Sequence, residues 1–240
     1  YKRNYYFSRV LPKDEWRYST FRPQVSFFET HGPRECLECS TSPVKIFCTV
    51  ENVHSAVSPL ASQYRDNCVE DAHLSLGFDY LDHPHYMRFP LWLLYFFGPE
   101  PDRNEVALKV RQFNERSFTK ESFCALVATH DKTGIRSKLH DLFSGIGTIQ
   151  CPGKFLHNDD DLGLKYGDDK AAYLEKFRFN LCPENDASPG YVTEKIFQAL
   201  WSDCIPIYWG AERNPEPEVL NPDSFVFVDP ANPSDAIRLV

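Results

Sequence analysis

The second half of the sequence alternates short apolar runs with segments of helical periodicity, and this alternation restricts the fold more than any other feature. Residues 123–129 form an apolar run typical of a strand, and residues 134–143 then place Ile135, Leu139, Leu142 and Phe143 on one helical face. Further strands are predicted over 148–151, 177–182, 204–209 and 224–229, with a helical turn over 170–176 and a helix over 193–201. Strands separated by helices at this spacing predict an α/β fold with a mostly parallel, doubly wound sheet.

The first half differs, because its predicted strands, over 24–28, 44–50 and 73–78, are joined by long polar loops. Residues 98–120 are charged and lack strand periodicity, which favours a linker. We therefore expect two domains, over 1–118 and 119–240. Pro206 cannot donate a hydrogen bond to a neighbouring strand, so its strand should be irregular or begin late.

Composition favours a globular protein, with 42% hydrophobic residues in a chain of 240. The net charge of −8 argues against a nucleic-acid partner. The longest apolar run, residues 89–98, is too short to span a bilayer and is predicted to be buried. The chain begins at Tyr1 and ends in a helical pattern, so we expect both domains to be incomplete and a signal, anchor or tail to lie outside.

Eight cysteines would suit a disulfide scaffold only in a much smaller chain. Cys124, Cys182 and Cys204 lie in apolar runs, where cysteine is usually a small buried hydrophobe, and this favours reduced thiols and a cytoplasmic setting. Cys36 and Cys39 form a lone CxxC, a weak metal signal. The histidines, among them His83, His85 and His130, show no metal-binding spacing.

Two turns each follow a predicted strand and carry a cation near the start of a helix. These are residues 129–136 with Arg136 and residues 183–195 with Lys195. Ligands of such sheets bind beyond the carboxyl ends of the strands, and a cation at a helix start is unfavourable unless an anion neutralises it. A single Arg or Lys is most often an ordinary surface residue. Two at corresponding turns favour a site that clamps a diphosphate without metal.

Four segments carry a resemblance to a known family. The longest is FRFNLCPENDASPGYVTEKIFQALWSDCIPIYWG, residues 177–210, and the others are CTVEN (48–52), LGFDYLDHPHYMRFPLW (76–92) and VATHDKTGIR (127–136). Their pieces and spacing resemble the alpha-1,3/4-fucosyltransferases, especially the bacterial members. The resemblance covers most of residues 44–229 and leaves residues 1–43 unmatched.

The resemblance implies a GT-B fold, in which two Rossmann-like domains face each other across a cleft and the second binds GDP-fucose. It implies inverting transfer of fucose, with alpha-1,3 linkage favoured, to a hydroxyl of GlcNAc or Glc in a lactosamine-type oligosaccharide or glycoconjugate. No cofactor or divalent metal is expected. A bacterial member would be cytoplasmic, with peripheral association to the inner membrane through segments outside this sequence; a eukaryotic member would be Golgi-anchored.

The same resemblance implies the site residues. Donor contacts fall on Arg136 at the phosphates and on Tyr166, Asn185, Tyr191, Glu194 and Lys195. Glu51 would be the general base, since inverting transfer needs a carboxylate to take the acceptor proton. Arg136 and Lys195 would stabilise the departing diphosphate as its charge grows.

Three other functions remain open on the sequence. The run Asp159, Asp160 and Asp161 would suit a metal-dependent glycosyltransferase, although short acidic runs are common in loops. The aromatic content would suit a non-catalytic glycan-binding domain. An inactive homologue would keep the motifs while departing from them locally, as at Pro183 and around Asp160.

Overall fold

The structure, a computed structural model, describes residues 19, 21–49, 51–97 and 102–240. The chain forms two compact units. Unit 1 contains residues 1–109 together with 188–191, and unit 2 contains residues 110–187 and 192–240. The sequence-based division after residue 118 lies in the same connecting segment, but the assignment of residues 188–191 to unit 1 has no sequence signal.

Unit 1 is built on a parallel sheet in the order β1-β2-β3-β4. Its elements are β1 (Val25–Glu29), α1 (Glu35–Glu38), β2 (Val44–Cys48), α2 (Pro59–Ser62), β3 (Leu74–Gly77), β4 (Tyr86–Arg88) and α3 (Leu93–Phe96). Three of these strands match the predicted ones, except that Val50 lies outside the described residues. In the apolar run predicted to be buried, Trp92 and Leu94 are buried while the residues beside them are half-buried.

The segment predicted as a linker contains the boundary between the two units, after residue 109, but most of its described part is a helix, α4 (Arg103–Glu115); residues 98–101 lie outside the described residues. The Asp102 carboxylate caps the helix by accepting hydrogen bonds from the backbone nitrogens of Asn104 (2.7 Å) and Glu105 (2.8 Å). None of the residues of α4 is buried. A helix without a buried face shows little hydrophobic periodicity in its sequence, and a helix is predicted mainly from that periodicity.

Unit 2 holds a second parallel sheet, in the order β6-β5-β7-β8-β9. Its elements are β5 (Ser122–Ala125), α5 (Ile135–Ser144), β6 (Ile149–Gln150), α6 (Asp161–Leu164), α7 (Lys170–Leu174), β7 (Phe177–Pro183), α8 (Glu194–Trp201), β8 (Ile205–Trp209), a 3₁₀ turn (Pro222–Ser224), β9 (Val226–Phe227) and α9 (Ser234–Leu239). Pro206 lies inside β8 rather than before it. The pairing of β8 with β9 starts only at Ile207, so Pro206 faces a strand partner only in β7.

The strand order of unit 2 creates a crevice beyond the carboxyl ends of β5 and β7. The chain leaves β5 through α5 towards β6 on one side, and it leaves β7 through α8 towards β8 on the other. Adjacent strands whose connections depart in opposite directions mark the position where open α/β sheets bind ligands. Buried Leu139 and Phe143 of α5 and Ile207 of β8 belong to the core beneath this edge.

All eight cysteines are free thiols, as the sequence favours, with Cys36 and Cys39 exposed and the others buried. Burial raises the pKa of the Cys48 and Cys204 thiols to about 12. These thiols therefore remain protonated at neutral pH. Within the described ranges, no helix is long and apolar enough to cross a membrane.

Candidate donor-binding site

A cavity of about 710 Å³ opens at the crevice of unit 2. Its walls come from the chain after β5, the chain after β6, the first residues of α5, α7 and α8, and the turn after β7. Ligand pockets in proteins typically have volumes of about 300–1,000 Å³. The cavity therefore has the size and position of a small-molecule site.

The start of α5 is held by the turn that precedes it. The Asp131 carboxylate accepts hydrogen bonds from the backbone nitrogens of Arg136 (3.1 Å) and Ser137 (2.9 Å) and from the Ser137 hydroxyl (2.7 Å). Burial alone would raise the pKa of Asp131, but these hydrogen bonds outweigh it and lower that pKa. Gly134 precedes the helix with φ +76°, a left-handed conformation that glycine adopts without strain. This turn fixes where Arg136 enters the cavity wall.

The Arg136 guanidinium lines the cavity and is itself bound by the protein. Its NH1 group donates to the His130 carbonyl oxygen, and its NH2 group donates to Asn185 Oδ1 at 2.7 Å. Thr133 Oγ1 also donates to the Asn185 carbonyl oxygen at 3.5 Å. The turn after β5 and the turn after β7 are thus joined at the cavity, which brings two residues of the expected donor site into contact.

The start of α8 is organised by Glu184, whose side chain is fully buried. Its Oε1 accepts from the Thr193 backbone nitrogen (2.8 Å), while Oε2 accepts from the Thr193 hydroxyl (2.7 Å) and from Lys195 Nζ (3.0 Å). Burial alone would lower the pKa of Lys195, but the Glu184 and Glu194 carboxylates outweigh it and raise that pKa above 10.5. Lys195 is therefore a fixed cation in the cavity wall at neutral pH.

The cations at the two helix starts were expected to be neutralised by an external ligand. The protein instead supplies carboxylates of its own. Glu184 pairs with Lys195, and Asp131 binds the backbone at the start of α5. Both cations are consequently held in place by the protein itself, which is a preorganised arrangement for binding charge.

The expected site residues separate into two groups in the structure. Arg136, Asn185, Glu194 and Lys195 line the cavity of unit 2. Tyr166, also in unit 2, does not belong to the lining and packs edge-on against Tyr173, with ring centroids 5.6 Å apart. Tyr191 is buried in unit 1 against Phe78, at 4.9 Å between ring centroids.

Glu51 lies in unit 1, three residues after the end of β2, and is half-buried. Nearby in the sequence, His54 Nε2 lies 2.9 Å from both carboxylate oxygens of Asp79, which follows β3. Asn67 also donates to Asp79, at 2.6 Å. The carboxyl ends of β2 and β3 thus carry a carboxylate and a histidine–carboxylate pair in the same unit.

The aspartate run considered for metal binding has protein partners at each position. Asp159 accepts from the Tyr173 hydroxyl (2.6 Å), Asp160 lies 2.9 Å from His157 Nε2, and Asp161 pairs with Lys165 and Lys176. Over the part of the chain that the structure describes, no group of three or more His, Cys, Asp or Glu residues is arranged to hold a metal ion. The contacts of the run are those of a structural element that orders residues 157–176.

Sequence reasoning missed four basic residues of the cavity: His130, Lys154, His157 and Lys170. His130 belongs to a quoted motif but was considered only as a metal ligand. Lys154 lies in an irregular segment after β6, and Lys170 begins the short helix α7, where no motif marks it. The sequence feature that could have identified Lys154 and Lys170 is their position beyond the carboxyl end of a strand of the predicted sheet.

Comparison with known proteins gives consistent matches over both units. Residues 107–236 match glycosyltransferase family 10 (fucosyltransferase), C-terminal part, and residues 2–95 match the alpha-(1,3)-fucosyltransferase FucT N-terminal domain. The chain is 37% identical to the alpha-(1,3)-fucosyltransferase FucT of Helicobacter pylori over 115 residues, which are 48% of this chain and 23% of that protein. It is 36% identical over 67 residues to human 4-galactosyl-N-acetylglucosaminide 3-alpha-L-fucosyltransferase FUT6, covering 27% of this chain and 19% of that enzyme.

Solved structures give the same picture at the level of the fold. A crystal structure of an alpha1,3-fucosyltransferase with GDP matches with a TM-score of 0.60 and 25% identity, covering 92% of this chain and 66% of that one. A structure with GDP-fucose matches with a TM-score of 0.54, covering 90% and 65%. The expected α/β fold of the GT-B class is confirmed by these matches. The chain aligns with about a quarter or less of the curated relatives and about two thirds of the solved structures.

Proposed function

We propose that this chain, which belongs to glycosyltransferase family 10, the fucosyltransferases, transfers L-fucose from GDP-fucose to a hydroxyl of GlcNAc or Glc in a lactosamine-type glycan, with alpha-1,3 linkage. One observation supports this most strongly. Among the cations that line the cavity at the switch point of the unit 2 sheet, Arg136 and Lys195 are each the second residue of a helix that follows a strand. The similarity to an alpha-(1,3)-fucosyltransferase of Helicobacter pylori and to an alpha1,3-fucosyltransferase structure with GDP-fucose also supports the proposal.

The donor's diphosphate is the ligand group that this cavity suits. Arg136 and Lys195 are held by protein acceptors, so they need little reorganisation when charge develops on the departing GDP. Asn185 and Glu194 offer an amide and a carboxylate for the neutral hydroxyl and N–H groups of the nucleotide. The family resemblance also implies donor contacts for Tyr166 and Tyr191, but neither lines the cavity. In our proposal these two residues shape the segments around the donor.

In the proposed reaction Glu51 takes the proton of the acceptor hydroxyl. That oxygen forms a bond to the fucose anomeric carbon from the face opposite GDP, while the bond from the anomeric carbon to the phosphate oxygen breaks and its electron pair leaves with GDP. The configuration at the anomeric carbon is inverted. General-base assistance of this kind contributes roughly 10²–10⁴-fold to rate.

The assignment of Glu51 as the general base can be tested against the alternative that the His54–Asp79 pair of the same unit is the base. We expect Glu51→Gln to lose turnover by at least about a hundredfold while GDP-fucose binding stays near the wild-type value. His54→Gln, which disrupts the pair with Asp79, is the matched comparison. Loss of turnover in His54→Gln with full turnover in Glu51→Gln would transfer the base role to that pair.

The whole proposal is tested by incubating the chain with GDP-fucose and a panel of lactosamine-type acceptors in EDTA, and by assigning product linkage by NMR. We expect one alpha-fucosylated product per GDP released. Binding of GDP-fucose without product would favour an inactive homologue. Glycan binding without GDP-fucose binding would favour a lectin, and activity that vanishes in EDTA would restore the metal-dependent alternative.

A further inference from the structure

Lys170, the first residue of α7, lines the same cavity as Arg136 and Lys195 but differs from both in its contacts. Arg136 donates to His130 and Asn185, and Lys195 donates to Glu184 and Thr193. The Lys170 ammonium makes no hydrogen bond or ion pair with any residue that the structure describes. The cavity thus has two cations bound by the protein, the exposed Lys154 at its rim, and Lys170, which is half-buried and has no such partner among the described residues.

The surroundings of Lys170 are unfavourable for an ammonium ion without a ligand. Burial lowers its pKa, and the Lys195 ammonium lowers it further, while Glu194 and Glu184 offset only part of the effect. A partly buried charge that lacks a partner costs stability, and such groups concentrate at sites where a ligand completes the charge balance.

Because Lys170 is half-buried in the cavity wall without a protein partner, its charge suits a ligand better than it suits the fold. We propose that Lys170 binds a phosphate oxygen of the donor's diphosphate directly and stabilises the negative charge of the departing GDP, alongside Arg136 and Lys195. This inference rests on the proposed function, because it takes GDP-fucose as the ligand. Lys has three donors on a compact charge, which suits a phosphate oxygen that the planar Arg136 group leaves uncovered.

Calorimetric titration of GDP and of guanosine into wild type, Lys170→Ala and Lys138→Ala tests the assignment. Lys138 is an exposed residue of α5 outside the cavity, so its variant controls for the change in net charge. We expect Lys170→Ala to weaken GDP binding by about thirtyfold or more, with guanosine binding unchanged and Lys138→Ala like wild type. Lys154→Ala, at an exposed position of the rim, should show a smaller loss because solvent and salt screen its charge.

Two further readouts separate a ligand role from a structural one. Removing an ammonium without a protein partner should leave the ligand-free melting temperature of Lys170→Ala at or above the wild-type value. As the pH rises through the lowered pKa of Lys170, GDP binding to wild type should take up protons, because the diphosphate raises that pKa, and Lys170→Ala should lose this uptake.

The outcomes are distinguishable. Wild type that fails to bind GDP overturns the proposed function and this inference with it. Wild type that binds GDP, with equal GDP affinity in Lys170→Ala, overturns the role of Lys170 alone. An equal loss of GDP and guanosine binding, together with a lowered melting temperature, would show that Lys170 supports the fold and does not bind phosphate.

Discussion

Glu184→Gln should destabilise unit 2 strongly, because the Glu184 carboxylate is fully buried and accepts three hydrogen bonds. A glutamine keeps the shape but leaves Lys195 without its opposite charge and turns an N–H₂ group towards the Thr193 hydroxyl or amide. Removing one partner of a buried ion pair costs about 3–5 kcal/mol. The Lys195 side chain retains 18% exposure, so we expect about 3 kcal/mol, at the lower end. For a chain of this length the melting temperature should fall by roughly 6–12 °C.

Urea unfolding followed by circular dichroism measures the loss, with Glu175→Gln as the control. Glu175 pairs with Arg116 at 2.6 Å but keeps 29% side-chain exposure, so its loss should cost less than about 1 kcal/mol. The pKa of Lys195 is raised above 10.5, so the stability that it contributes is present below pH 10.5 and is lost as the pH rises through the raised value. The difference between wild type and Glu184→Gln should therefore be constant from pH 6 to about 10 and shrink above it. Equal losses in the two variants would refute the reasoning.

Asp131→Ala should cost about 1 kcal/mol by removing the cap of α5, including its contacts to Ser137. Because the pKa of Asp131 is lowered, its contribution is present above about pH 3.8 and is lost as the pH falls through the lowered value, which urea unfolding at pH 7 and pH 3 would reveal. Gly190→Ala should cost about 1–3 kcal/mol, because Gly190 has φ +75° and an added Cβ would lie 2.4 Å from the Phe78 carbonyl oxygen. Gly134→Ala, at φ +76° with open space around it, should cost only about 1 kcal/mol, and equal losses at the two glycines would argue against the close contact.

The sequence predicted unit 2 better than unit 1 for a physical reason. Core-facing residues of α5, such as Leu139 and Phe143, are fully buried. Their apolar side chains therefore recur in the sequence at helical spacing, which predicts the helix. The helix α4 buries none of its residues, and only its cap at Asp102 carries a local signal. The strand β4 has three residues, too short for a period of two to be recognised.

The lining residues of the cavity were predictable where they follow a strand and begin a helix, as Arg136 and Lys195 do. The role of Glu184 was not, because its burial and its contacts to Thr193 depend on how the turn after β7 folds back onto α8. Lys170 was missed for the same reason. The helix α7 that Lys170 begins reaches the cavity through tertiary structure, which no spacing rule encodes.

Equilibrium binding of GDP-fucose in EDTA tests the central claim most directly, with wild type, Arg136→Ala and the exposed control Lys138→Ala measured together. Arg136 reaches both the His130 carbonyl and Asn185 at the cavity wall, so its loss removes a placed cation from the proposed donor site. We expect wild type and Lys138→Ala to bind one GDP-fucose per chain with equal affinity, and Arg136→Ala to bind it at least about thirtyfold more weakly. Wild-type affinity in Arg136→Ala, or no binding by wild type, would contradict the assignment of this cavity to the donor.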